Sequence, residues 1–143
     1  MQPRHQASLQ VSTDLDALAQ VLEWFDQFNN PPVPHQAWMQ CQLALAEGFT
    51  NAVRHAHQGR SSDLMIDVEV QVFEDRMEIR IWDQGDQFDL NHRLKSMPDL
   101  DSEEDGGRGL RLMERIADFL SYTRTSEGTQ NCLLIVKKFL PLG

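Results

Sequence analysis

The stretch DLMIDVEVQVFEDRMEIRIW, residues 63–82, limits the possible folds more than any other part of the chain. Ile66, Val68, Val70 and Val72 alternate with Asp67, Glu69 and Gln71. After Glu74-Asp75 the alternation resumes, with Met77, Ile79 and Ile81 set against Glu78 and Arg80. A period of two sends successive side chains to opposite faces of a strand. Each strand therefore has one face to bury and one face that stays wet, which favours an antiparallel sheet. Glu74 and Asp75 form the short turn of a hairpin.

The remaining elements attach to this hairpin. ASLQVS, residues 7–12, is a short alternating strand. Thr13-x-x-Asp16 resembles a capping box, and Leu15, Leu18, Leu22 and Phe25 then recur at helical spacing through DLDALAQVLEWFDQF. The prolines of NNPPVP end that helix. A second, longer helix is expected over residues 35 to 56, with Trp38, Leu45, Phe49, Ala52 and Val53 on its apolar side. Residues 84–106 lose all periodicity, and a loop of that length inside a compact domain is either functional or disordered. GLRLMERIADFL reads as a third helix with Leu110, Met113, Ile116 and Ala117 on one face, and LSYTRT and TQNCLLIVKKF, joined by SEG, read as two closing strands. The order β-α-α-β-β-loop-α-β-β predicts an α+β fold, a two-layer α/β sandwich. It has a mixed, mostly antiparallel sheet with helices packed on one face. With 143 residues, a single domain over 1–143 is expected.

Composition narrows the function classes. Hydrophobic residues at 41% and charged residues at 24% are ordinary for a water-soluble globular chain. No run of about 18 apolar residues suggests a membrane span, and MQPRHQASLQ lacks the apolar core of a secretory signal. A cytoplasmic protein is expected, with Cys41 and Cys132 as two buried thiols in apolar surroundings. The net charge of −9 argues against direct nucleic-acid binding, which needs a basic footprint. Between Asp83 and Asp105 eight carboxylates face only Arg93 and Lys95, so most of that charge lies in the long loop.

Chemistry-bearing residues occur in four places. EGFTNAVRH sets Glu47, Asn51 and His55 four residues apart in an otherwise apolar helix, so all three share one face. Asp83-Gln84-Gly85 puts a carboxylate at a strand end beside a glycine, an arrangement able to read the amino group of a base. DGGRGL places three glycines directly before the third helix, where free N–H groups and positive potential receive phosphate. Gly128-Thr129 opens the final strand.

The set E-x-x-x-N-A-x-x-H-A, D-x-G, G-x-G-L and G-T, in this order, resembles the GHKL nucleotide-binding superfamily with its Bergerat fold. Within it, the short chain looks most like the anti-sigma-factor serine/threonine kinases of the RsbW type, over about residues 9 to 139. The resemblance implies ATP/ADP and Mg2+ as cofactors and assigns roles residue by residue. Glu47 would be the general base and Asn51 the Mg2+ ligand. Asp83 would bind the adenine amino group beside Gly85. Gly107, Arg108, Gly109 and Leu110 would wrap the phosphates, Thr129 would support the adenine end, and the loop at 84–106 would be the nucleotide lid. His55 belongs to the motif and is read as structural. Two departures stand out: Gln87 replaces the second glycine of the family's D-x-G-x-G, and Gly48 stands where alanine is common.

The function implied is an anti-sigma factor that sequesters a sigma factor and phosphorylates a STAS-domain anti-anti-sigma protein. It would do so without contacting nucleic acid or membrane. One alternative is a non-catalytic nucleotide-binding interaction module. Another is a detached domain that hydrolyses ATP on its own. The resemblance also implies a homodimer, with Trp24, Phe25 and Phe28 or the edge of the first strand as candidate contacts.

Overall fold

The computed structural model describes residues 2–57, 64–85, 107–125, 128 and 130–142. Its elements are β1 (His5–Ser12), α1 (Leu18–Phe25), α2 (His35–Asn51), β2 (Met65–Val72), β3 (Arg76–Asp83), α3 (Gly107–Ile116), β4 (Phe119–Arg124) and β5 (Asn131–Lys138). Single 3-10 turns flank α1 at Leu15–Ala17 and Asp26–Phe28, and α2 runs on into a π-helical turn at Ala52–Ala56. Beyond Gln84 and Gly85, the loop expected to be a lid lies outside the described residues.

The strands form one sheet in the order β1-β2-β3-β5-β4, antiparallel at every described pairing. The sequence allowed a mixed sheet, but each neighbouring pair here is a hairpin or a crossover that reverses direction. The alternation read from the hairpin is borne out. Ile66, Val68, Val70, Val72, Met77, Ile79 and Ile81 are all buried, and their cross-strand neighbours Leu9, Leu133 and Ile135 share their face. On the opposite face Arg80 bonds Glu78 and Gln71, and Arg76 bonds Glu78. Glu78 is partly buried, which raises its pKa, but these guanidinium bonds outweigh burial and hold it below the usual carboxylate range.

All three helices cover the apolar face. Helix α2 buries Ala37, Trp38, Cys41, Ala44, Leu45, Gly48 and Phe49, an i, i+3, i+4 series. Full burial of side chains such as Phe25, Phe28 and Phe49 contributes roughly 1.5–3 kcal/mol each. Trp38 locks α2 to α1: its Nε1 donates to the Phe25 carbonyl at 3.1 Å, and its ring stacks on Phe25 with centroids 5.8 Å apart. Among the described residues no helix is long and apolar enough to cross a membrane.

Four expectations need correction. The start of the first helix is capped by Asp14, whose side chain accepts from the Asp16 N–H at 2.9 Å. Thr13 is unavailable, because its hydroxyl pairs with His57. The buried face of α1 is Val21, Phe25 and then Phe28, while Leu15 is 38% exposed, because the 3-10 turns at both ends shift the helical phase. Helix α3 stops at Ile116 instead of reaching Leu120. The Asp118 N–H donates to the Val136 carbonyl, and its carboxylate accepts from the Lys138 N–H, which draws the chain into the sheet. Phe25 and Phe28 lie in the core, so they cannot form a dimer contact, whereas β1 is an edge strand.

Gly48 explains how closely α2 sits on the sheet. A Cβ there would lie 2.7 Å from Ile81 Cδ1 and 3.1 Å from Leu133 Cδ2. The missing side chain lets the helix axis approach β3 and β5. Further along, the π-turn brings His57 to Gln84, just past the end of β3. These two contacts lay α2 alongside the C-terminal end of β3, where Asp83 lies.

Candidate functional site

The α2 side of the site starts with Asn51. Its Nδ2 is buried and has no hydrogen-bond partner among the described residues. An unmet buried donor costs roughly 1–3 kcal/mol, so such an atom calls for an explanation. One turn earlier, Glu47 reaches the start of α3. A Cβ added at Gly109 would collide with the Glu47 carboxylate. Only glycine allows this approach of carboxylate to backbone.

Helix α3 begins at Gly107. The first four N–H groups of a helix lack intrahelical acceptors, and here they belong to Gly107, Arg108, Gly109 and Leu110. The positive end of the helix dipole suits an anion at that point, a carboxylate or a phosphate. Leu110 takes part only through its backbone: its side chain is 3% exposed and sits in the core with Met113. The side chain of Arg108 lies outside the described residues.

The other end of the site is built around Asp83, which is 3% exposed at the last position of β3. Its Oδ1 accepts from the Gly85 N–H and from Asn131 Nδ2, both at 2.9 Å. The Tyr122 hydroxyl donates to Oδ2 at 2.8 Å and stands 3.1 Å from Oδ1. Burial first, then the Asp83 charge, pushes the tyrosine well above its ordinary range, so it stays a donor. A carboxylate offers about four acceptor positions. With Oδ1 taken twice and Oδ2 once, one position remains on Oδ2 for a donor from outside. Asn131 also donates to the Gly85 carbonyl at 2.7 Å. Arg124 Nη1 reaches that carbonyl at 3.1 Å and Asn131 Oδ1 at 3.2 Å, while its Nε and Nη2 hold the Gly128 carbonyl. Gly128, at φ 71°, makes the turn that presents this carbonyl.

Tyr122, Arg124, Asn131 and His57 were not singled out in the sequence. Strand register in the folded sheet sets Asn131 directly across from Asp83, with Arg124 next in line, and no spacing within one segment signals it. Thr129 lies outside the described residues, and within them Asp83 is bonded by Gly85, Tyr122 and Asn131. The side chain of His55 is likewise outside the described residues.

Cysteine chemistry has no place here. Burial pushes the Cys41 thiol up to about 12 and the Cys132 thiol up to about 11. Cys132 is only partly buried, because strand alternation turns it to the wet face beside Trp82. No group of three or more His, Cys, Asp or Glu suited to a metal occurs among the described residues. A Mg2+ ion held by phosphates needs only one or two protein ligands; the amide oxygen of Asn51 has the chemistry of such a ligand, while its partnerless Nδ2 is a donor suited to a phosphate oxygen.

Comparison with known proteins bears on the family and the fold. A family model described as the histidine kinase-like ATPase domain matches residues 11–137. Serine-protein kinase RsbW of Bacillus licheniformis is 40% identical over 83 residues, 54% of this chain and 52% of that one. The Listeria monocytogenes protein of the same name is 37% identical over 90 residues, 59% and 57%. The Staphylococcus epidermidis one is 32% identical over 103 residues, 68% and 65%. The chain thus spans about half to two thirds of the length of these relatives. A blue-light-activated histidine kinase of Erythrobacter litoralis shares the fold, with a TM-score of 0.50 at 19% identity over 84% of this chain and 40% of that one.

Proposed function

The chain belongs to the histidine kinase-like ATPase domain family, and from that premise we propose that it binds ATP with Mg2+ and transfers the γ-phosphoryl group to a serine or threonine of a partner protein. The free acceptor position on Asp83 Oδ2 takes the exocyclic amino group of adenine. The four N–H groups from Gly107 to Leu110 receive phosphate oxygens, and the amide oxygen of Asn51 would hold Mg2+. Mg2+ held there would supply positive charge that offsets the charge of the phosphates. Glu47 accepts the proton of the attacking hydroxyl. As the new O–Pγ bond forms, the bond from Pγ to the bridging oxygen breaks, ADP leaves, and Glu47 later returns its proton to water.

The observation that carries this reading is the Glu47 carboxylate resting on the glycine-rich start of α3, one helical turn from Asn51, whose buried Nδ2 has no partner among the described residues. Similarity to proteins named serine-protein kinase supports the choice of a hydroxyl acceptor. The proposed partners are those implied by the resemblance in sequence: a sigma factor that the chain sequesters and a STAS-domain antagonist that it phosphorylates. We assign the homodimer contact to the open edge of β1, since Phe25 and Phe28 lie in the core and Trp24 is partly buried against it.

Calorimetric titration with ATP and Mg2+, beside the Asn51→Ala variant, tests the site. Label transfer from γ-labelled ATP to a STAS-domain protein tests the reaction. Binding that weakens in the variant, together with transfer by the wild type, is expected. Equal binding by both proteins would remove Asn51 from the site, and absent transfer would leave a nucleotide-binding module without kinase activity.

A further inference from the structure

We propose that His57 is a positioning residue for adenine recognition, acting through the backbone of Gln84. This rests on the reading of Asp83 given above. His57 is 4% exposed and closes the π-helical turn at the end of α2, its N–H donating to the Ala52 carbonyl at 3.0 Å. Its Nε2 accepts from the Gln84 N–H at 2.8 Å, so that nitrogen carries no proton. Nδ1 therefore carries it and donates to the Thr13 hydroxyl at 2.8 Å. Thr13 is itself fixed to the sheet, since its N–H donates to the Leu64 carbonyl at 3.0 Å.

Gln84 matters because of its neighbours. Asp83 Oδ1 accepts from the N–H of Gly85, two residues on, which is an Asx turn with Gln84 as its middle residue. Tyr122 and Asn131 hold the Asp83 side chain, and only the imidazole among these groups holds the peptide at the centre of the turn. Rotation of that peptide would carry away the Gly85 donor and turn the free acceptor position on Oδ2. The histidine thus ties the helix that bears Glu47 and Asn51 to the turn that aims Asp83. The π-turn supplies the extra residue's worth of winding that brings it there.

Two variants of the full chain separate positioning from mere burial. In His57→Gln the side-chain carbonyl reaches the place of Nε2. In His57→Asn the shorter amide reaches only the place of Nδ1. ATP and GTP affinities are measured by calorimetry with Mg2+, at a temperature below the melting transition of each protein. The Asn variant is expected to bind ATP about tenfold more weakly, the worth of one hydrogen bond, with GTP binding unchanged. The Gln variant is expected to stay close to wild type. ATP affinity unchanged in His57→Asn, or lost equally in both variants, would overturn the proposal. If His57→Asn does not fold, Thr13→Ala decides: it releases the anchor of the ring, and an unchanged ATP affinity there would overturn the proposal as well. Failure of the wild type to bind ATP would instead overturn the proposed function, and this inference with it.

Discussion

The two ends of the site are built in opposite ways. Around Asp83 nearly every polar atom is met by another: Tyr122, Asn131, Gly85 and Arg124 donate, and one acceptor position is left over. Around Asn51 a buried donor has no partner, and Glu47 is held by the close approach of Gly109. A satisfied buried network is rigid and presents one fixed geometry. An unsatisfied one leaves free energy to be recovered when a ligand arrives. The contrast fits a site that reads a base with preset groups and completes its phosphate end only with nucleotide and metal in place.

That contrast can be broken from either side. Glu47→Gln should have the largest effect: phosphoryl transfer slower by roughly 10²–10⁴-fold with ATP affinity retained, measured as label transfer beside calorimetry. Gly109→Ala comes next. The added methyl displaces the Glu47 carboxylate, so transfer should fall about tenfold or more while thermal stability holds. Asn131→Ala attacks the satisfied end. It leaves Asp83 Oδ1 and the Gly85 carbonyl each a donor short in a fully buried place, at roughly 1–3 kcal/mol of unfolding free energy in a denaturant titration. Asn51→Ala should have the smallest effect and the opposite sign. The nucleotide-free protein gains about 1 kcal/mol, because an orphaned donor disappears and alanine favours the helix. A loss of stability in Asn51→Ala would mean that both ends are satisfied alike.

Much of the fold was legible because periodicity is a local property. The Ile66–Val72 and Met77–Ile81 alternation fixed the hairpin and its buried face, and the prolines after Asn30 closed the first helix. The Leu15 and Leu120 expectations failed where a competing interaction, a 3-10 turn or a sheet bond, outweighed helical spacing. In the site, Glu47, Asn51, Asp83 and the α3 glycines stood out because polar or glycine residues interrupt an apolar pattern. Tyr122, Arg124 and His57 interrupt nothing. Their importance lies in partners 39, 39 and 27 residues away along the chain.

By itself, the sequence determined the kinds of element, their order and the face each strand buries, since all of these follow from spacing within one segment. It also singled out most of the residues proposed for the site. Tertiary structure alone decided which donors meet Asp83, why position 48 is glycine, and that Asn51 Nδ2 is left without a partner among the described residues. Those facts depend on strand register and on the distance between helix and sheet, which are set by packing between segments far apart in the chain.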